Sequence, residues 1–178
     1  MTDLSMVEMC RGYGSIPARV TFVGISAGRL GALKTSVPFT KDASGRIFQR
    51  CLNRLGLSES DEFSTAPVLK DCYITNLVKG QCLTNDGLNR LPEDGEIAFW
   101  WPHFQTEVER VQPKGILCLG SLVFQTIKPT YPVQARKLKH PRWYQAHCAL
   151  SKDSAWFNSM VFDYLQDVAE FFPERCVG

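Results

Sequence analysis

Four short stretches of this sequence carry side chains able to do chemistry. In Phe39-Thr40-Lys41-Asp42 a carboxylate follows an aromatic ring by three residues, so both can face one pocket. An ionised carboxylate there would stabilise positive charge or take a proton from water. Its competing use is to cap a helix beginning near Gly45. Phe39 has two readings as well, a stacking platform or a core residue. Asn76 directly follows an apolar run. It is either a polar strand-end residue or a fixed amide whose acceptor and donors read the edge of a base. His140-Pro141 lies among Arg136, Lys137, Lys139 and Arg142, ahead of Trp143 and Tyr144. A lone histidine is usually structural, and most short basic segments are solvated rather than bound to phosphate.

The fourth stretch, Gly24-Ile25-Ser26-Ala27-Gly28, matches the G-x-S-x-G nucleophile elbow, with Ser26 as nucleophile and His140 as its base. The context argues against that use. An elbow runs at once into a helix, whereas Gly31 and Pro38 break the following segment. It also follows several strands, whereas this is the first. Gly28 with Lys34-Thr35 imitates a phosphate-binding loop, but Leu33 replaces the second glycine, which removes the close backbone approach to phosphate.

These residues need a frame. The apolar runs 20–23, 72–75 and 115–119 read as buried strands, and 133–139 as an imperfect fourth. Helical patterns cover 45–57, 93–111 with a kink or boundary at Pro102, 121–127 capped by Ser121, and 151–172 capped by Ser151. Apolar strands alternating with helices predict an α/β fold with a parallel sheet covered on both faces. Ligands of such sheets bind beyond the carboxyl ends of the strands, where residues 24–42, 76–79, 120–121 and 140–141 fall.

The 178 residues are one domain's worth, enough to bury a core without staples, and a single domain over 1–178 is expected. With 44% hydrophobic and 21% charged residues, the composition is that of a soluble globular protein. No run is long enough to cross a membrane, and the N-terminus has no cleavable apolar core. A net charge of +2 does not by itself argue for nucleic acid. Seven cysteines without a CxxC pair read as reduced thiols in a cytosolic protein.

Five segments, in order, resemble the uracil-DNA glycosylase superfamily, and most of all its b-type, family-five members. Residues 35–45 (TSVPFTKDASG) follow the glycine-led loop of strand one and resemble the family's Thr-Gly-x-x-Phe-Thr-Gly-Asp-x-Ser-Gly segment. Tyr73-Ile74-Thr75-Asn76-Leu77-Val78-Lys79 resembles its Tyr-x-Thr-Asn-x-Val-Lys strand end. Asn89-Arg90-Leu91-Pro92 with Glu96 resembles Asn-Arg-x-Pro...Glu, 113–121 the third strand, and His140-Pro141 the start of His-Pro-Ser.

The resemblance implies a three-layer α/β/α sandwich with a short, mostly parallel, four-stranded sheet. It implies hydrolysis of the N-glycosidic bond to uracil, or another deaminated base, after that base is flipped out of DNA. Asp42 and His140 would be catalytic. Gly24, Ile25, Ser26, Phe39, Asn76 and Ser121 would bind substrate, Ser121 through phosphate. Arg142, Trp143 and Tyr144 follow the His-Pro pair, where relatives insert a wedge into the duplex. The chemistry needs neither metal nor redox cofactor. The expected partner is DNA rather than membrane, and the chain is expected to be a cytoplasmic monomer, nucleoid-associated in a prokaryote.

There are departures. Ala27 replaces the loop's usual proline, Ile25 an acidic residue of some relatives, and Arg142 the serine of His-Pro-Ser. The four iron–sulfur cysteines of the most similar families have no counterpart. Gly80 follows Lys79 where a cysteine is expected, and no cysteine lies between Cys82 and Cys118. No cluster is expected, and Cys10 and Cys82 could form only a remnant. The altered loop leaves open a member that binds DNA or a base without cleaving it, beside the Ser26 hydrolase.

Overall fold

The computed structural model describes residues 9–148 and 155–173. One sheet runs through it in the order β1-β3-β2-β4-β5. Its strands are β1 (Tyr13–Gly14), β2 (Val20–Ser26), β3 (Cys72–Val78), β4 (Gly115–Leu119) and β5 (Ala135–Leu138). The last four are mutually parallel, and β1 is antiparallel to β3. The expected count of four strands is therefore corrected to five. Two residues are too few for β1 to show any alternation in the sequence.

The parallel strands are apolar because both faces are covered. Val20, Phe22, Leu117 and Leu119 point to one face and share a core with Phe48, Leu52, Tyr144 and Tyr164. Val23, Ile116 and Cys118 point to the other and meet Phe104, Val123 and Ile127. The helices that supply these partners are α2 (Ala43–Arg54), α5 (Pro141–Cys148) and α6 (Ala155–Ala169) on the first face. On the second are α3 (Asp94–Val111) and α4 (Ser121–Ile127). A four-residue helix, α1 (Ala32–Thr35), breaks the long connection after β2.

Three expectations about these elements change. Ser121 does not cap α4: Gly120 takes the cap position at φ 110°, which favours glycine, and makes no side-chain bond. Pro102 does not end α3, whose start is instead secured by a reciprocal Glu93–Glu96 capping box. Ser151 lies outside the described residues. No helix among the described residues is long and apolar enough to cross a membrane.

The connection after β2 passes to the α2 face, whereas those after β3 and β4 pass to the α3 and α4 face. Connections diverging from neighbouring strands open a crevice at their carboxyl ends.

Candidate active site

A pocket of about 310 Å³ lies in that crevice, small for a ligand site. Ile25, Ser26 and Gly28 line it from β2 and the turn beyond, Phe39 and Asp42 from the approach to α2, and Asn76 from β3. His140 and Arg142 close it from the start of α5, and Asn89, Arg90 and Leu91 from the loop before α3.

Gly24 and Asn76 lie inside their strands, not beyond them, and face each other across the β2–β3 ladder. Hydrogen at Gly24 is what lets two walls close. A Cβ there would fall 2.5 Å from Asn76 Oδ1 and 2.5 Å from Phe39 Cζ. Asn76 is buried, yet among the described residues no hydrogen bond engages its side-chain amide. Phe39 packs against Phe48, ring centroids 4.7 Å apart, with its backbone at φ 53°. Gln49 Nε2 donates to its carbonyl at 3.0 Å.

Asp42 divides its carboxylate. Oδ1 accepts from Gly45 N–H at 2.7 Å, so Asp42 does cap α2. Oδ2 is left on the side of Gly28 and Gly31, where any Cβ would collide with it. The capping and pocket-facing readings are thus compatible, one oxygen each.

His140 precedes Pro141, which occupies the first position of α5, where proline's missing N–H costs nothing. The Arg142 backbone N–H donates to His140 Nδ1 at 3.2 Å. Burial lowers the histidine's pKa, with Asp42 opposing and Arg142 adding to the shift. A neutral imidazole that accepts at Nδ1 carries its proton on Nε2. The site therefore presents an aromatic ring, an uncommitted amide, an Nε2–H donor and a carboxylate oxygen.

The other expected residues divide. Arg142 lines the pocket, whereas Trp143 is 39% exposed, lies against Lys139 and Tyr144, and is not part of the lining. Tyr144 is corrected: it is 1% exposed, and its hydroxyl donates to Asp163 at 2.5 Å. Position 144 of the helix faces α6, so its ring belongs to the core and not to a DNA-facing wedge. Ser121 is exposed at the start of α4 and is not part of the pocket lining. The Ser26 hydroxyl is in hydrogen-bonding contact with Cys82. Among the described residues no hydrogen bond joins it to His140, so a serine nucleophile would lack its base.

A family model described as the uracil DNA glycosylase superfamily matches residues 11–166. The chain belongs to that superfamily. A type-5 uracil-DNA glycosylase of Pyrobaculum aerophilum is 28% identical over 131 residues, 72% of this chain and 56% of that protein. One of Thermus thermophilus is 28% identical over 144 residues, 78% of this chain and 62% of its own. A type-4 uracil-DNA glycosylase of Archaeoglobus fulgidus is 31% identical over 116 residues, 65% and 50% of the two chains. This superfamily member thus spans less than two-thirds of the length of these relatives.

The iron–sulfur cluster that resemblance to families four and five brings with it does not fit these residues. Cys10 and Cys82 are both buried and sit in different apolar clusters. Among the described residues no three His, Cys, Asp or Glu side chains gather at one point.

Asn89, Arg90 and Leu91 line the pocket although the sequence motif they belong to implied no site role for them. Asn89 Oδ1 accepts from Arg29 N–H at 3.2 Å and ties two loops together. Arg90 grips Glu96 with both prongs, at 2.7 and 2.8 Å. Leu91 is held at the pocket lip, 68% exposed. The available signal was the resemblance of this segment to Asn-Arg-x-Pro...Glu, in which Arg and Glu stand six residues apart.

Proposed function

We propose that this chain excises uracil from DNA by hydrolysing its N-glycosidic bond. The observation that carries the reading is the convergence of Phe39, the free amide of Asn76, the Nε2–H of His140 and Asp42 Oδ2 on one small pocket. The names of the relatives support uracil as the base. A base inside a duplex is unreachable, so the nucleotide is flipped into the pocket. Phe39 stacks on the ring. Asn76 Oδ1 accepts from the uracil N3–H while Nδ2 donates to O4, an arrangement that cytosine's reversed donor and acceptor do not match.

As the C1′–N1 bond breaks, its electron pair moves into the base, and charge develops on O2. His140 Nε2–H donates to that oxygen, and one such positioned donor is worth about 100-fold or more in rate. Positive charge on the sugar faces Asp42 Oδ2. Water adds its oxygen to C1′ and gives a proton to the carboxylate; that proton is returned through solvent to the departing uracil anion, leaving neutral uracil and an abasic sugar. Arg142 and Leu91 line the pocket, and with the exposed Trp143 that follows Arg142 they would meet the DNA around the flipped nucleotide. Ser121 would meet a flanking phosphate.

The test is an oligonucleotide with one uracil, single- or double-stranded, with hypoxanthine and xanthine substrates in parallel. Alkaline cleavage reveals abasic sites. Excision by the wild-type chain, with folded Asn76→Ala and His140→Ala variants each slowed about 100-fold, is the expected result. Tight binding of the uracil strand without excision would refute catalysis and make this superfamily member a base-binding protein.

A further inference from the structure

Strand β3 loses its outer neighbour after Ile74, because β1 pairs only Tyr13 with Ile74 and Gly14 with Tyr73. The preceding segment bows away from the edge. Gly12 N–H goes to Glu107 Oε1 at 3.0 Å, and contact with the strand resumes only where Cys10 N–H meets the Lys79 carbonyl at 2.9 Å. In between, the Asn76 carbonyl would be a buried acceptor without a strand partner, which is costly.

Lys79 fills that gap. Its Nζ donates to the Asn76 carbonyl at 2.6 Å, to Thr75 Oγ1 at 2.6 Å and to Glu107 Oε2 at 2.5 Å, so all three N–H groups are used. Glu107 is equally engaged. Oε2 also accepts from the Thr75 hydroxyl at 2.7 Å, and Oε1 from the Tyr73 hydroxyl at 3.0 Å. Lys79 is 3% exposed and Glu107 9%. A buried ion pair is seldom more stabilising than apolar side chains of the same size, so stability alone is a weak reason for this one. Its location is a better reason, since the carbonyl it holds belongs to the residue whose amide walls the pocket.

We propose that Lys79, braced by Glu107, is the positioning residue of Asn76: the ammonium replaces the missing strand neighbour and fixes the main chain from which the amide reaches into the pocket. The inference rests on the base-reading role proposed for Asn76.

The test compares the wild-type chain with Lys79→Met and with Lys79→Met/Glu107→Gln, the double variant leaving no unpaired buried charge. Single-turnover excision of uracil is measured in Asn76 and Asn76→Ala backgrounds, with affinity for a uracil-free strand as control. A positioning role slows excision on the order of 10- to 100-fold in the Asn76 background, with strand affinity unchanged. It has little further effect once Asn76 is alanine, because the two act as a unit. Equal losses in both backgrounds, or wild-type excision by the folded double variant, would overturn the proposal. The side-chain amide resonances of Asn76, assigned by their disappearance in Asn76→Ala, give a readout that needs no activity. They should shift or broaden in the double variant, and unchanged resonances would overturn the proposal. A wild-type chain that excises nothing would sink the glycosylase reading, and the resonances would then decide this inference alone.

Discussion

Alanine at position 24 is the smallest change that asks whether Asn76 and Phe39 close on one another. The added Cβ would lie 2.5 Å from Asn76 Oδ1, 2.5 Å from Phe39 Cζ and 3.1 Å from Cε1. Carbon atoms in comfortable contact stand about 3.5–4.0 Å apart, so the two walls must yield by about 1 Å. The backbone raises no objection, since Gly24 lies within a strand outside the positive-φ region and alanine there gains roughly 0.5–1 kcal/mol over glycine. Phe39 has little room to retreat, with Phe48 behind it and Gln49 holding its carbonyl. With two walls pushed back by about 1 Å at once, overpacking falls in the upper part of its about 1–3 kcal/mol range, so Gly24→Ala should lower stability by a net ~1–2.5 kcal/mol. A displacement of about 1 Å in the residues gripping a base can cost about 100-fold in rate. Urea unfolding and single-turnover excision of uracil measure the two effects. A variant as stable as wild type refutes the closure of the two walls over Gly24. A destabilised variant with full activity refutes the placement of the base between them.

Further expectations follow from the same geometry. If His140 acts as proposed, in its neutral form, excision should stay level as pH rises from 6.5 into the alkaline range; a rate that falls as pH rises would make the imidazolium the donor. Its lowered pKa also means that this group's contribution to stability is intact above 6.5 and is lost as pH falls below it, which urea unfolding across mildly acidic pH would detect. Asp42→Asn should keep the α2 cap and remove most activity, whereas Asp42→Ala should also lose about 1 kcal/mol; full activity in both would reduce Asp42 to a cap. Arg90→Ala should raise amide hydrogen exchange across 82–92 and leave the sheet protected, and unchanged exchange would mean that the loop is held elsewhere. Ser36→Gly and Lys41→Gly should each stabilise by about 1 kcal/mol, since both residues sit at positive φ; thermal unfolding that shows no gain would contradict that strain.

The parallel strands were legible because a sheet buried on both faces leaves continuous apolar runs, and their order placed Gly24, Asn76 and His140 near one edge. Legibility ended where an element was short or its partners distant. Tyr13-Gly14 carries no alternation, and α1 is a single turn hidden among glycines and Pro38. The segment 140–144 reads locally as basic and aromatic. Only a helix started by Pro141 shows that Arg142 turns toward the pocket and Tyr144 toward Asp163, nineteen residues away along the chain. Asn89 and Lys79 act through Arg29 and Glu107, and neither contact leaves a local trace.

The turn that carries Phe39 shows how sequence departure and site geometry are linked. Ser36, Phe39 and Lys41 have φ of 59°, 53° and 69°, three left-handed non-glycine residues within six positions. The resembled family segment has glycine at two of them, where this chain has Ser36 and Lys41. Strain of about 1–3 kcal/mol per residue persists only where neighbours over-determine the backbone. Here they do. Thr40 Oγ1 bonds the Val37 carbonyl at 2.8 Å and Thr35 Oγ1 at 2.5 Å, and Gln49 holds the Phe39 carbonyl at 3.0 Å. Gly45 lets the first turn of α2 press against residues 39 and 40, where a Cβ would come within 2.7 Å of the Phe39 carbonyl carbon. The strain at Phe39 differs from the other two. Glycine would relieve it only by deleting the ring, so at that position a left-handed backbone is the condition for setting an aromatic side chain against the pocket. The strain at Ser36 and Lys41 has no such return, because neither side chain lines the pocket. Tight packing around the turn therefore tolerates loss of the glycines at its ends while Phe39 stays in place.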